Sequence, residues 1–294
     1  ERTGIPVCHQ QNIMPIRPHL RNLTFFPVLA VLSVCVLLCG KVTAEDATAA
    51  DSNSTKKLTI RQQSESSIPW GKLTDEAQEK LQGVLTNATV FHRSPEHKLA
   101  CDHDVYLHLI RHPELVVNMW ELMGVSKLRM SREEDYVINI DDGQGTNSQL
   151  ELVYGNANLH IFYAEGSYKG SIIPTVNQGR VVLILKTDEA MEEGKPIVTH
   201  QLDMFIQFDQ STNQLLVKTL QGLFLKMVDM NFAETTKFIS QIDAIIQDNP
   251  EGMKRLSGRL TRVQTPIRQK FNSLVERANA QYVRISTTTE PQPD

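Results

Sequence analysis

Apolar side chains recur at two different spacings along this chain, and the spacing changes twice. From Thr74 to about residue 123 the spacing is helical, apart from one short apolar run at 89–93. Between residues 136 and 208 apolar and polar residues alternate, which is the period of strands with one buried face. The helical period then returns. The chain therefore predicts helices, a block of strands and helices again, which is an α+β fold.

Turn and capping residues place the ends of these elements. Thr74 is a typical helix N-cap, with two acidic residues in the turn that follows. Pro113 separates two further helices, at 102–111 and 114–123, because proline excludes helical geometry from the residue before it. Short turns join the later strands, which predicts antiparallel pairing in a sheet of about six or seven strands. These strands are expected at 136–140, 150–154, 159–163, 180–186 and 198–208, with a polar loop from Thr187 to Pro196.

A long apolar stripe follows the strands and predicts one helix of about 30 residues, from 213 to 247. Asn249-Pro250 ends it. The segment 250–286 predicts amphipathic C-terminal helices, interrupted at Pro266. Residues 287–294 are expected to form a disordered tail, so the main domain is predicted at 71–249.

The N-terminal residues have the pattern of an export signal. Arg17 and Arg21 precede an uncharged, mostly apolar run at 24–39, and Val42-Thr43-Ala44 places small residues before Glu45. We expect residues 1–44 to be a signal segment cleaved after Ala44, which makes the protein periplasmic or extracellular. A membrane anchor at 24–39 is the alternative, with membrane association through this segment, and Cys39-Gly40 leaves a lipoprotein open. Residues 45–70 are rich in small polar residues and predict a flexible linker.

Charge and cysteine content limit the kinds of function. The formal net charge is −4, and the part after Ala44 carries 26 basic and 33 acidic residues. Without a basic stripe, such a chain is not expected to bind nucleic acid. Cys101 is the one cysteine after Ala44, so an internal disulfide is not expected there and stability must come from the core. A lone thiol of this kind is typical of a small buried apolar residue.

The order of these elements resembles the helix-grip architecture of the START-like and polyketide-cyclase-like superfamily. In that architecture a curved antiparallel sheet wraps around a long C-terminal helix. The resemblance covers roughly residues 88–249 and rests on topology, without a diagnostic motif. It implies an apolar gap between sheet and helix, where lipids or other hydrophobic molecules can bind.

Four local segments are also similar to a family of exported proteins from planctomycete-type bacteria that has no assigned function. They are Asp104–Gly124, Asp141–Thr146, Tyr163–Tyr168 and Asn231–Phe238. This resemblance implies export but brings no catalytic residues, cofactor or partner with it.

The densest group of metal-binding residue types lies on one predicted helix. His108 and His112 are four residues apart and Asp104 is one turn earlier, so all three share a helix face. Two histidines and a carboxylate can bind zinc in this way. No HExxH motif or CxxC pair accompanies them, and a histidine at a helix C-terminus is explained by the helix dipole. Metal binding therefore stays a secondary interpretation.

One further histidine lies in the strongest predicted strand. His200 is on its apolar face, where it is either a hydrogen-bonded core residue or a polar anchor for a ligand, alongside Tyr154 or Tyr163. The acids Asp141, Asp142, Asp203 and Glu165 do not form a recognisable catalytic pair. Asp141-Asp142-Gly143 is better explained as a turn, and Asp203 is expected on the solvent side of its strand. No catalytic residue and no cofactor is predicted.

Three functions agree with this pattern. The first is an exported, non-enzymatic binding protein for a hydrophobic small molecule or lipid. The second is an envelope-associated scaffold whose segment Glu251–Tyr282 docks on an unknown partner, because its apolar positions cannot all be satisfied by one exposed helix. The third is a cyclase- or hydrolase-like enzyme that uses His200, or the histidines of 103–112, as a base.

Overall fold

A computed structural model describes residues 58–168, 177–208 and 214–289. One antiparallel sheet lies between two layers of helices. The helices are α1 (Ile60–Ser66), α2 (Asp75–Asn87), α3 (His103–Arg111), α4 (Pro113–Leu122), α5 (Gln214–Asp248), α6 (Pro250–Gly258) and α7 (Thr265–Thr289). The strands are β1 (Val90–Arg93), β2 (His97–Ala100), β3 (Arg129–Glu134), β4 (Val137–Asp141), β5 (Thr146–Gly155), β6 (Leu159–Tyr168), β7 (Asn177–Glu192) and β8 (Lys195–Phe208). The predicted α+β class is confirmed.

The eight strands form one curved sheet in the order β1-β8-β7-β6-β5-β4-β3, with β2 also paired to β8. Every pairing is antiparallel. Strands β4 to β8 are neighbours in chain order and pair antiparallel, as the sequence predicted. The long helix α5 comes after the last strand and packs on the sheet, so the predicted helix-grip arrangement is present.

Three stretches of the sheet differ from the prediction, and the first is β2 (His97–Ala100), which was not predicted as a strand. The expected polar loop from Thr187 to Pro196 is wrong, because β7 continues to Glu192 and pairs there with Lys195 at the start of β8. Glu193 and Gly194 form the tight turn, and both have positive φ angles (52° and 75°). Paired turn residues with φ above zero match the twist of a two-residue hairpin. Strand β3 was not predicted, since its sequence RMSREE is mostly charged.

The inner face of the sheet forms the larger core. Alternate residues of β4 to β8 pack against apolar residues of α3, α4 and α5. Four members on α5 are fully or nearly fully buried and lie along one face of the helix, as the apolar stripe in the sequence predicted. They are Val228, Ile239, Ile242 and Ile246.

The outer face of the sheet is covered by the N-terminal helices. Leu81 and Val84 of α2, with Ile68 before it, pack on Ile184 and Phe205 of the strands. Helix α1 lies within residues 45–70, which the sequence assigned to a flexible linker. From residue 58 that prediction is wrong, and residues 45–57 lie outside the described part.

Helix α1 has local reasons to form even though few of its residues are apolar. Its N-cap, Thr59, makes a complete capping box with Gln62, in which each side chain bonds to the other residue's backbone N–H. The Arg61 side chain then donates to the Leu85 carbonyl of α2 at 2.7 Å and lies over the Phe205 ring. These contacts tie α1 to the outer face.

Helix α1 covers a buried ion pair that the sequence misplaced. Asp203 was expected to face solvent, but its side chain is fully buried on the outer face. Its two carboxylate oxygens accept from Arg93 at 2.5 and 2.7 Å, and Lys186 donates to it at 3.0 Å. Burial alone would raise the pKa of Asp203, but these hydrogen bonds, led by that from Arg93, lower it. The carboxylate is thus charged and paired.

The C-terminal helices pack on the domain itself. The apolar positions of α6, of α7 and of the segment between them belong to the inner core: Met253, Leu260, Val263, Ile267, Phe271, Leu274, Val275 and Ala278. Asp243 of α5 fixes α7 further, since it accepts from Tyr282 Oη at 2.8 and 3.0 Å. The premise of the scaffold hypothesis is therefore wrong, because these apolar positions are satisfied within the chain. Helix α7 also continues to Thr289, past the start of the predicted tail; residues 290–294 lie outside the described part.

The buried Asp203 pair predicts a large effect of a small substitution. Asp203→Asn keeps the shape but leaves Arg93 and Lys186 without a counter-charge, so we expect the free energy of unfolding to fall by about 3 kcal/mol or more. Urea denaturation measures this. The exposed Asp188→Asn on β7 is the matched control and should change it by less than about 0.5 kcal/mol. Equal effects of the two substitutions would contradict the assigned role of the pair.

Candidate functional site

His200, the first predicted ligand anchor, is held by two hydrogen bonds inside the core. The Nδ1 atom lies 2.8 Å from Tyr106 Oη, and Nε2 lies 2.8 Å from Thr236 Oγ1. The Thr236 hydroxyl donates its proton to the Phe232 carbonyl. Its oxygen must therefore accept from Nε2–H of His200, and Nδ1 accepts from Tyr106. Both ring nitrogens of the neutral imidazole are used.

The surroundings of His200 keep it uncharged. Phe232 and His97 lie beside it, with ring centroids 4.6 and 6.3 Å away. Burial, and next the neighbouring His97, lowers the pKa of His200 to about 3. His200 is therefore a satisfied core residue, and its ring has no free nitrogen for a ligand head group or for proton transfer.

The two predicted tyrosine anchors lie on the other side of the sheet. Tyr163 packs among the outer-face residues, and its hydroxyl donates to Glu165 at 2.9 Å. Tyr154 joins that face because the pairing register shifts between Leu152 and Tyr154, as it does at a β-bulge. The interpretation that places these tyrosines beside His200 is wrong, since a sheet separates them.

The three candidate metal ligands have other partners. Asp104 forms an ion pair with Arg277 of α7, and His108 donates through Nε2 to the Ile267 carbonyl at 3.1 Å. His112 Nδ1 lies 3.5 Å from Glu114 Oε1. Within residues 58–168, 177–208 and 214–289, no group of three or more His, Cys, Asp or Glu residues is arranged to hold a metal ion. The shared helix face thus serves packing against α7.

The remaining candidates are structural. Asp141 and Asp142 accept hydrogen bonds from backbone N–H groups of Gly143, Gln144 and Thr146, so the turn interpretation is confirmed. Cys101 is fully buried, and burial, then the nearby Asp243, raises the pKa of its thiol well above the usual value. A thiol in that state is a poor nucleophile.

The structure brings together a site that the sequence analysis missed. One row of paired residues on the inner face reads Ile140, Ser148, Gly166, Gly179 and Phe208 across β4 to β8, and it is small at β5, β6 and β7. The neighbouring inner row is larger, with Ile138, Leu150, Ala164, Val181 and Ile206. The small row lies at the end of the sheet where β8 leads towards α5.

Unpaired polar atoms accompany this small row. Thr146 and Asp142 are 1% and 4% exposed, and Ser148 is 9% exposed. Among the described residues, no hydrogen-bond partner reaches Thr146 Oγ1, Ser148 Oγ or Asp142 Oδ2. Buried polar atoms in native proteins are almost always paired with protein, water or ligand. The sequence contains a signal for this site, because small and polar residues occupy inward positions in the segments TNSQL and AEGSY, whereas the rest of the inner face is apolar.

A polar cleft of about 760 Å³ follows the same end of the sheet. It covers three consecutive rows of residues across β3 to β7, and the small row is the middle one. The flanking rows are largely exposed and polar: Ser131, Asn139, Gln149, Glu165 and Arg180, and Arg129, Asp141, Asn147, Ser167 and Gln178. His200, Tyr154 and Tyr163 do not line it.

Three buried histidines predict how stability depends on pH. Burial is the main cause that lowers the pKa of His200 to about 3 and those of His108 and His160 to about 4. In the unfolded chain each of these histidines binds a proton near pH 6.5, whereas in the folded protein it stays neutral down to about pH 4. The folding free energy that depends on the neutral histidines is therefore complete above pH 6.5 and is lost as the pH falls towards 4. We expect a loss of about 1.4 kcal/mol per pH unit for each histidine between pH 6 and 4. Urea denaturation at several pH values, with His200→Gln for comparison, measures it; a flat profile would contradict these environments.

Comparisons with known proteins add little to this geometry. No protein-family model matches the chain, and no curated protein matches it. Solved structures that resemble it include a conserved protein from Geobacillus kaustophilus (8% identity, TM-score 0.33, covering 50% of this chain and 97% of that one). Others are Ara h 8.0201 (11%, 0.27, 48% and 96%) and TTHA0849 from Thermus thermophilus (13%, 0.26, 52% and 95%). At these TM-scores the likeness carries no argument about function.

Proposed function

We propose that this protein is an exported, non-enzymatic binding protein for a hydrophobic small molecule or lipid with a polar head group. The ligand lies at the end of the inner face, beside the small row of Ser148, Gly166 and Gly179. One observation carries the proposal: unpaired, buried polar atoms adjoin the small residues of an otherwise apolar face.

The small row supports the apolar part of this contact. Gly166 and Gly179 have no side chains, whereas the next row has Ala164 and Val181, and the row beyond it has Phe162 and Leu183. On β6 and β7, side-chain volume on the inner face therefore decreases towards the end of the sheet, where Phe208 of β8 closes the row. A ligand that buries about 200 Å² of apolar surface there gains about 5 kcal/mol of binding free energy. This gain is large enough for specific binding even after part of it is offset by the loss of the ligand's translational and rotational freedom.

The unpaired atoms support the polar part. Hydroxyls such as those of Thr146 and Ser148 can donate or accept, and the free oxygen of Asp142 accepts. A head group with a hydroxyl or amide would pair with Ser148, which lines the cleft, and this removes the cost of leaving that hydroxyl buried and unpaired. These residues replace His200, Tyr154 and Tyr163 as the proposed anchors.

Binding is favoured over catalysis because the accepting ring nitrogens of the buried His200 and His160 are already occupied. His200 uses both ring nitrogens, and Arg111 donates to His160 Nε2 at 3.0 Å. In both cases the lowered pKa keeps the ring neutral. A general base needs a free nitrogen within reach of a substrate.

The proposal of export rests on residues 17–44, which lie outside the described part. No helix in the described residues is long and apolar enough to cross a membrane. Expression of the full chain in a bacterium, followed by fractionation and N-terminal sequencing, tests it. We expect a mature chain outside the cytoplasm that begins at Glu45. A chain that keeps residues 24–39 in the membrane fraction would support the anchor instead, and a cytoplasmic chain would contradict both.

Filling the small row tests the binding site. Gly166→Leu places a large side chain on the inner face of the cleft, whereas Ala190→Leu places the same side chain at an exposed position of β7 outside the cleft and is the matched control. After mild extraction, native mass spectrometry should detect a bound ligand in the wild type and in Ala190→Leu, and at least about tenfold less in Gly166→Leu.

Urea denaturation of the same variants separates a binding gap from a filled core. If there is room beside Gly166, the substitution should change the free energy of unfolding by less than about 1 kcal/mol, since no neighbour has to move. A loss of about 1–3 kcal/mol, the usual cost of overpacking, together with the absence of any ligand in the wild type, would contradict the proposal.

A further inference from the structure

A second cleft, of about 470 Å³, lies between α3 and α7, away from the inner-face site. The residues that line it on α3 and just after it share one helix face: Asp104, Leu107, His108, Arg111 and His112. Those on α7 do the same: Pro266, Ile267, Lys270, Leu274 and Arg277. Asp104 near the start of α3 pairs with Arg277, and His108 contacts Ile267, so the two helices run antiparallel.

The two ends of this cleft differ in charge. At one end Arg277 is neutralised, because it pairs with both Asp102 and Asp104. At the other end, Arg111 and Lys270 have no carboxylate within 4.0 Å among the described residues. The second end therefore carries two positive charges that the protein itself does not balance.

Arg111 is held in place by neutral groups. Its Nε donates to His160 Nε2 at 3.0 Å, and its Nη2 donates to the Asn156 carbonyl at 3.1 Å. Burial, followed by the charge of Arg111, lowers the pKa of His160 to about 4, so His160 does not compete as a cation. These bonds fix the guanidinium without using its charge, which is how anion-binding arginines are positioned.

Two further groups at this end suit an oxyanion. Helix α7 begins here at Thr265; Pro266 has no N–H and the Arg268 N–H donates to the Gln264 carbonyl at 3.2 Å, so the N–H groups of Thr265 and Ile267 are the donors left in this first turn. His108 is 8% exposed and donates through Nε2 to Ile267, which leaves Nδ1 with a lone pair and no hydrogen-bond partner among the described residues. A protonated phosphate oxygen can donate to that atom, whereas an ionised carboxylate cannot.

We propose that the end of the α3–α7 cleft formed by Arg111, Lys270 and His108 binds a phosphate group. Arg111 and Lys270 balance its charge, the start of α7 supplies backbone donors, and His108 accepts from its hydroxyl. The group comes either from a small phosphate compound or from a lipid head group. This site is separate from the inner-face site, so either can fail without the other.

Histidine NMR with inorganic phosphate tests the proposal. Titration should shift the ring signals of His108 and His112, and Lys270→Gln should weaken the fitted affinity at least about fivefold. Lys270 is exposed, so its loss should not disturb folding. Lys237→Gln removes the same charge from an exposed lysine of α5 and should change the affinity less than about twofold, because it lies outside the cleft. Unshifted histidine signals, or equal weakening by both variants, would overturn the proposal.

Vesicles identify the source of the phosphate group. Co-sedimentation with vesicles that contain phosphatidic acid, compared with vesicles of phosphatidylcholine alone, is measured for the same variants. Binding to the first kind that Lys270→Gln reduces and Lys237→Gln does not assigns the site to a lipid head group. Binding of inorganic phosphate without vesicle binding assigns it to a small compound. If neither probe responds to Lys270→Gln, the cleft is not a phosphate site.

Discussion

The packing of helices on both faces of one antiparallel sheet is the constraint on which the rest of this structure depends. Because successive side chains of a strand point to opposite faces, each residue is committed to one of two separate cores. The inner core includes α3 to α7, and the outer core includes α2 with the segment that leads into it. This division decides which candidate residues can act together, and it separates His200 from Tyr154 and Tyr163.

The two faces use polar groups in different ways. On the outer face, the charge of Asp203 is fully paired with Arg93 and Lys186 under α1. On the inner face, His200 is paired with Tyr106 and Thr236, but three polar atoms near Ser148 have no partner among the described residues. Unpaired buried groups are costly, so a protein that keeps them has a reason to do so. These unpaired atoms lie beside glycines, which have no side chains, and this position points to a ligand at this end of the sheet.

Much of the fold could be predicted because its signals are local. The alternation in β4 to β8, the stripe of α5, the Thr74 cap and the break at Pro113 all follow from the residues themselves. Strand β3 was not predicted because its sequence, RMSREE, is mostly charged. It is an edge strand, and its buried ion pair between Arg132 and Glu114 depends on α4. Helix α1 escaped because a short polar segment with a capping box gains its stability from contacts with α2 and the sheet.

The site could not be predicted in the same way. A register shift of one residue moved Tyr154 to the outer face, and only pairing with β6 reveals it. Asp203 occupies a position in the alternating pattern that is typical of a surface residue, but helix α1, which is distant in sequence, packs over it and buries it. Similarly, Ser148, Gly166 and Gly179 come from three strands and become one row only when the sheet forms. The cations of the α3–α7 cleft meet through a contact between distant helices.

A xenon-derivatised crystal measures most directly whether there is room for a ligand beside the small row. Xenon enters apolar cavities that are accessible but not filled by protein. We expect a xenon peak within about 4 Å of the backbone of Gly166 and Gly179, the distance of ordinary apolar contact. Density that shows protein side chains packed against both glycines, with no xenon and no bound molecule, would contradict it.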